Sequence, residues 1–262
     1  MRRIIIAVLF SLVSLMMASC SKMETLFTNG EPVTEQRGLG HHFEAIKMYN
    51  NVNVKLVHDN HPRLELTCPK NLIEKVTTEI DGDTLVIKNE NDYNWLRSYD
   101  YSIDLTVYYD SLRQIDFASI GDLRCTDSIR GIQELTIDST HAVIDTIWAR
   151  TFNLNVKEGC GDIDLTFNCN VVKNNFSNGT SLVTLRGIAE YTEIIMRSFG
   201  TVHAENLNSN FVRVQSHSTN DAYVWARTKL TVWLYSIGNV YYKGNPWIVQ
   251  ECTNDGQVFK LE

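Results

Sequence analysis

From residue 119 onward, apolar and polar positions alternate in short runs, and each run follows a small polar turn. The pattern recurs as SIGDLRC from Ser119, STHAVID from Ser139, GCGDIDL from Gly159, GTSLVTL from Gly179, SFGTVHAE from Ser198, STNDAYV from Ser218 and SIGNVYY from Ser236. Successive starts lie 20, 20, 20, 19, 20 and 18 residues apart. Strict alternation predicts half-buried strands, with one set of side chains inward and the other outward. The expected inward pairs are Leu123/Cys125, Val143/Asp145, Ile163/Leu165, Val183/Leu185, Val202/Ala204, Ala222/Val224 and Val240/Tyr242. Asp145 alone is out of character. The residues between them, Arg124, Ile144, Asp164, Thr184, His203, Tyr223 and Tyr241, form the expected outward column.

A second strand follows about ten residues later in each copy: LTI at 135, FNLNV at 152, YTEIIM at 191, FVRV at 211 and LTVWL at 230, with VVKNNF at 171 a weaker version. Two short strands cannot close a core alone, but stacked copies bury each apolar face on the next coil, about 4.8 Å away. The fold expected is therefore all-β: a β-helix-like solenoid of about 20 residues per coil over 119–262. An antiparallel sandwich also has regularly spaced strands. The solenoid is preferred because matching turns recur at every second strand. Gly121, Gly161, Gly200 and Gly238 in these turns suit a positive φ.

Residues 41–118 carry longer strand patterns: FEAIKMYNNVNVKLV from 43, RLELTC from 63, TLVIK from 84, YSIDLTVYY from 101 and RQIDFA from 113. After Pro69, residues 71–76 suit a helical turn or two, and Asp81-Gly82 is a hairpin signal. This stretch is expected to form a β-rich N-terminal cap, because an open solenoid end exposes unpaired backbone and core.

The chain opens with Met1-Arg2-Arg3, an apolar run Ile4–Met17, and Ala18-Ser19-Cys20. The run is shorter than the roughly 20 residues that span a bilayer, and the whole reads as a signal peptide over 1–19. Its ending resembles a bacterial lipobox, in which Cys20 would carry the lipid. Acyl chains hold a protein at a membrane because each buried CH₂ contributes about 0.8 kcal/mol. Residues 20–40, with Gly30, Pro32, Gly38 and Gly40 and no apolar periodicity, read as lipid anchor and flexible tether. The compartment expected is the cell envelope, as an outer-membrane lipoprotein facing the periplasm or the exterior.

Charge narrows the partners. Loss of Arg2 and Arg3 with the leader leaves 22 basic and 31 acidic residues, a net of −9, which argues against nucleic acid. Cys68, Cys125, Cys160, Cys169 and Cys252 show no CxxC or Cys/His spacing, so no metal site or cofactor is expected. Most of these cysteines read as small buried apolar residues.

The Gly-Asp/Asn turns, CPKNL at 68–72 and above all SIGNVYYKGNP at 236–246 resemble the DUF2807 family, described as auto-transporter adhesins with a head GIN domain. The resemblance covers about 43–262. It implies a right-handed β-helix-like fold and a surface lipoprotein, and brings no catalytic residues with it. The turns at Ser139, Gly179 and Ser218 depart from the family's Gly-rich form.

Three functions are weighed. The first is a non-enzymatic, adhesin-like module for glycans or surface proteins, with Tyr223, Trp225, Trp233, Tyr235 and Tyr241 as the candidate patch, since aromatic shelves with polar edges anchor interfaces. The second is a polysaccharide lyase or hydrolase, which needs converging carboxylates. Asp122 and Asp162 occupy equivalent turns two coils apart, about 9.6 Å by strand spacing, and read as turn formers. The third is a structural subunit of an envelope assembly, in which case the chain is an oligomer. Asp83-Thr84-Leu85, Asp110-Ser111-Leu112, Asp127-Ser128-Ile129, Asp138-Ser139-Thr140 and Asp145-Thr146-Ile147 also resemble a bacterial O-glycosylation sequon, and equally suit strand starts after turns.

Overall fold

A computed structural model describes residues 28–92, 101–138, 140–159 and 161–261. The expected leader and Cys20 lie outside them. The strands run in chain order as β1 (Pro32–Gly38), β2 (Ala45–Asn50), β3 (Asn53–His58), β4 (Arg63–Pro69), β5 (Val76–Asp81), β6 (Thr84–Asn89), β7 (Asp104–Tyr109), β8 (Gln114–Ser119), β9 (Leu123–Arg130) and β10 (Glu134–Asp138). Five long strands follow: β11 (Ala142–Gly159), β12 (Ile163–Gly179), β13 (Val183–Met196), β14 (Val202–Ser216) and β15 (Ala222–Leu234). Then come β16 (Val240–Lys243), β17 (Trp247–Cys252) and β18 (Val258–Lys260). The helical signal after Pro69 becomes a single 3-10 turn, Ile73–Lys75.

From β8 onward every pairing is parallel and joins one coil to the next. The chain is a β-solenoid with roughly 20 residues per turn. Each long strand serves two sheets. In β12, Ile163–Cys169 lies between the first halves of β11 and β13, while Val171–Phe176 lies between their second halves. The inward residues of both halves meet in one continuous core reaching from Phe43 to Val240, so the outer faces of the two sheets point away from each other. Burying each Leu, Ile or Val of these rows contributes about 1.5–3 kcal/mol.

The expected inner column holds at every copy but one. Ala142, not Val143, stacks on Leu123 and Ile163, and Ile144 on Cys125 and Leu165. Val143 is 43% exposed and Asp145 also faces out. Asp138 stays level with Ala118, but the turn from there to Ala142 is one residue shorter than that from Ala118 to Leu123. A count carried over from the first copy therefore lands on the outward face and turns every side chain over. With that correction Asp145 no longer stands in the core column.

The turn glycines also act differently from expectation. Gly121, Gly161, Gly200 and Gly238 do not have positive φ. Instead, a Cβ on Gly121 would lie 2.1 Å from the carbonyl oxygen of Val52, one on Gly161 2.1 Å from that of Thr140, and one on Gly200 2.0 Å from that of Ser181. The equivalent turn positions down the stack read Gly121, Thr140, Gly161, Ser181, Gly200, Asn220 and Gly238. Glycine thus alternates with a small polar residue, and each glycine nests on the carbonyl of the coil before it. The turns that depart from the Gly-rich form are the intervening coils. Thr140 donates back to the Gly121 carbonyl and Asn220 to the Phe199 carbonyl.

The N-terminal region is built differently from the boundary expected at 118. β2 and β3 lie inside the parallel stack, between β6/β7 on one side and β8/β9 on the other. Val54 therefore stacks on Leu123, far away in sequence. Only β1, β4 and β5 form the antiparallel cap: β5 on β6, β4 on β7 and β1 on β4. Asp81-Gly82 makes the expected hairpin, with Gly82 at φ 64°. The cap also absorbs part of the expected tether. Residues 32–38 are strand β1, with Arg37 donating to the carbonyls of Val76 (2.6 Å) and Ile73 (3.2 Å). Apolar periodicity cannot reveal such a strand, because backbone pairing on an exposed edge, not burial, holds it.

Candidate binding surface

Parallel stacking turns one outward position per coil into a continuous row. On the first sheet that row reads Thr106, Lys55, Arg124, Val143, Asp164, Thr184, His203, Tyr223, Tyr241 and Phe259. Val143 takes the place expected for Ile144.

The last four members are ring-bearing and stacked. Centroids are 4.7 Å apart for His203–Tyr223, 5.0 Å for Tyr223–Tyr241 and 5.4 Å for Tyr241–Phe259, with interplanar angles of 4°, 13° and 26°. The coil repeat sets this spacing, since neighbouring strands stand about 4.8 Å apart. The Tyr223 and Tyr241 faces are thus covered on both sides by neighbouring rings, which leaves edges and hydroxyls toward solvent. Burial, Asp221, Tyr241 and Glu205 together hold the Tyr223 hydroxyl above its ordinary range. His203 Nδ1 lies 3.2 Å from Glu205 Oε1. Trp225 lies two residues beyond Tyr223 on the same side, in register with Lys243.

The other two candidate residues stand elsewhere. Trp233 and Tyr235 follow the bend of β15 and face outward from the second sheet. The Arg213 guanidinium covers the Trp233 ring at 4.4 Å and also pairs with Glu193 at 3.1 Å. Tyr235 stacks on His217 at 4.5 Å. The five residues thus divide between two opposed faces, with Tyr223, Trp225 and Tyr241 together on one and Trp233 and Tyr235 on the other. Phe259 was not among the candidates. Its signal is faint: a three-residue strand whose first member, Val258, lies 18 residues after Val240.

Nearer the N terminus, the first sheet carries a groove of ≈ 480 Å³ lined by Asn53, Lys55, Asp104, Thr106, Asp122 and Arg124, among others. Four of these six residues bond to one another. Arg124 donates to Asp122 at 2.7 Å, and Asn53 to Asp104 at 2.8 Å. Asp122 and Asp162 are separated by His141, whose Nδ1 accepts from the Asp162 amide at 2.9 Å. Asp164 is held by Arg186 in the next coil. No group of three His, Cys, Asp or Glu side chains is disposed to hold a metal among the described residues. Of the cysteines described, Cys68, Cys125 and Cys169 are buried thiols, as expected of small apolar fillers, while Cys252 on β17 is exposed.

A capped β-solenoid that presents a repeated outer row defines a class of protein built to offer an extended surface. Residues 42–246 match the DUF2807 family, "Putative auto-transporter adhesin, head GIN domain", and the chain belongs to it. Among solved structures it is similar to a "putative adhesin" from Parabacteroides distasonis (17% identity, TM-score 0.78, covering 89% of this chain and 99% of that one). It is also similar to one from Bacteroides fragilis (17%, 0.65, 89% and 99%). A "putative lipid binding protein" from Parabacteroides distasonis shares the fold as well (16%, 0.73, 89% and 98%). No curated protein matches the chain.

Proposed function

We propose that this chain is a non-enzymatic binding module of the bacterial cell envelope, held to the outer membrane by lipid on Cys20, which engages a glycan or protein ligand through the first sheet. The stacked row His203–Tyr223–Tyr241–Phe259 carries this reading. Four rings locked by one another lose little side-chain freedom on binding, and rigid aromatic anchors are what hot spots use. The adhesin-like description of the family agrees with a binding role. The carboxylates of Asp122 and Asp164 are each held by an arginine, which favours binding over hydrolysis or lyase chemistry.

The lipid is tested by metabolic labelling with a palmitate analogue: the wild-type chain takes label and Cys20→Ser does not. Binding is tested with the lipidated chain in detergent micelles on paired glycan and surface-protein arrays. Ligand signals are expected to drop about tenfold or more in the Tyr223→Ala/Tyr241→Ala double variant, as for loss of a hot spot. Signals unchanged in a folded double variant would remove the ring row from the binding site.

A further inference from the structure

Resting on that reading, we infer that the ligand of the ring row is a linear, uncharged glycan lying parallel to the solenoid axis, one sugar unit per coil, gripped by ring edges and hydroxyls rather than by ring faces. Three observations lead there.

The first is translational symmetry. The row offers a ring group at nearly constant intervals of 4.7, 5.0 and 5.4 Å. A compact ligand uses one interval of such a surface, whereas a polymer with its own repeat gains at every coil it covers. A glycosidically linked pyranose unit is about as long as one coil step, so each unit of an extended chain meets an equivalent set of groups.

The second is which surfaces of the rings are open. Tyr223 lies between His203 and Tyr241, and Tyr241 between Tyr223 and Phe259, so a sugar cannot stack on either ring. Neither phenolic hydroxyl bonds to another described residue. The flanking turn column repeats polar groups beside the rings: Asp221, Asn239 and Gln257 in successive coils. Asp221 Oδ1 accepts from the Asn239 amide and Asn239 Oδ1 from the Gln257 amide. That leaves the second Asp221 oxygen and the side-chain NH₂ groups of Asn239 and Gln257 without a described partner. A row of hydroxyls bordered by carboxylate and amide groups suits a chain of sugar hydroxyls, which both donate and accept.

The third is charge. Glu205, Asp221 and Lys243 border the row, whereas Lys260 stands level with Tyr242 and donates to Asn245 at 2.6 Å. Two carboxylates against one ammonium group give an anionic polymer no long-range attraction, and a net of one charge offers little to a cationic one. The basic residues Arg124 and Lys55 lie toward the far end of the same outer row, four and five coils from His203.

The test titrates the full lipidated chain in detergent micelles with cello- and chito-oligosaccharides of two to eight units, and with oligogalacturonate of the same lengths. For at least one uncharged series, affinity is expected to climb about tenfold or more between two and four units and to flatten once the four coils are covered. Tyr223→Phe/Tyr241→Phe keeps the stacked rings and should weaken the four-unit ligand about fivefold or more, with the melting curve unchanged. A two-unit sugar binding as tightly as the octamer, or oligogalacturonate outcompeting the uncharged series, overturns this inference while the binding-module reading stands. So does binding of a protein that depends on the rings when no uncharged oligosaccharide binds. Oligosaccharide binding indifferent to both the Phe and the Ala double variants overturns both.

Discussion

The imidazole of His203 lies flat on the phenol ring of Tyr223, with centroids 4.7 Å apart and planes within 4° of parallel, although the two residues are 20 positions apart in the chain. Tyr241 covers the opposite face of the same ring. Tyr223 is therefore the shared member of two stacked pairs, and aromatic pairs contribute about 0.5–1.5 kcal/mol each beyond the area they bury. In a double-mutant cycle, Tyr223→Ala and Tyr241→Ala should show a coupling of about 0.5–1.5 kcal/mol in urea unfolding. A coupling within error of zero would mean that the rings are neighbours without mutual stabilisation.

Turn glycines that touch the preceding coil should tolerate no side chain. Gly161→Ala would place its Cβ 2.1 Å from the Thr140 carbonyl oxygen, so the coils must part. A cost of about 2 kcal/mol or more is expected. Gly40→Ala meets nothing within 4 Å and should stay within about 0.5 kcal/mol of wild type. Equal effects of the two substitutions on the denaturation midpoint would refute the nesting of coils at this corner.

Buried thiols should mark the alkaline limit of the fold. Burial pushes Cys125 and Cys68 up to about 11 from an ordinary 9.0. A folded value raised in this way means that the unfolded thiol ionises first. The stabilisation is complete below pH 9.0 and is lost as pH climbs toward about 11. Cys125→Ala, weaker at neutral pH through lost packing, should show a shallower decline of stability over that window. In the native protein at pH 8, peptide mapping should find Cys252 alkylated promptly and Cys68, Cys125 and Cys169 protected.

Arg37 should decide whether β1 stays on the cap. Its guanidinium reaches the carbonyls of Val76 and Ile73 across the edge of the cap, so Arg37→Ala leaves the backbone pairing with β4, the Thr34–Thr67 hydroxyl contact and the packing of Val33. Amide exchange across residues 33–37 should quicken by about tenfold or more, the equivalent of roughly 1.4 kcal/mol, while β12 and β13 exchange as before. Unchanged protection of β1 would show that the ladder with β4 suffices.

One inner position explains why a repeat can look weak in sequence. Asn174 stands in the row between Leu154 and Ile194, is only 1% exposed, and donates to the Glu193 carbonyl while its own oxygen finds no protein partner. Replacing a half-satisfied amide by an apolar group of similar size removes a desolvation cost of about 1–3 kcal/mol. Asn174→Leu is therefore expected to raise the thermal midpoint. A lowered midpoint would mean that the amide's hydrogen bond outweighs its desolvation.

By itself, the sequence determined the parts of this protein that repeat. Alternation at intervals near 20 residues sufficed for the strands from Leu123 onward, for the inner row in every copy but the one at Ala142, and for the Asp81-Gly82 hairpin, because period-two burial and turn chemistry are local signals. It also brought Tyr223 and Tyr241 into one row, since residues one coil apart must meet. Tertiary structure alone decided the rest. The placing of β2 and β3 between β6/β7 and β8/β9, and the recruitment of Pro32–Gly38 as an edge strand, rest on backbone pairing between distant segments that leaves no periodic trace. The split of the five aromatic residues followed from a bend inside β15 that keeps the inward parity of its side chains while turning the outer face around. Whether a glycine is there for its φ or for the carbonyl of the coil beneath it is likewise a matter of neighbours in space, which no single turn can reveal.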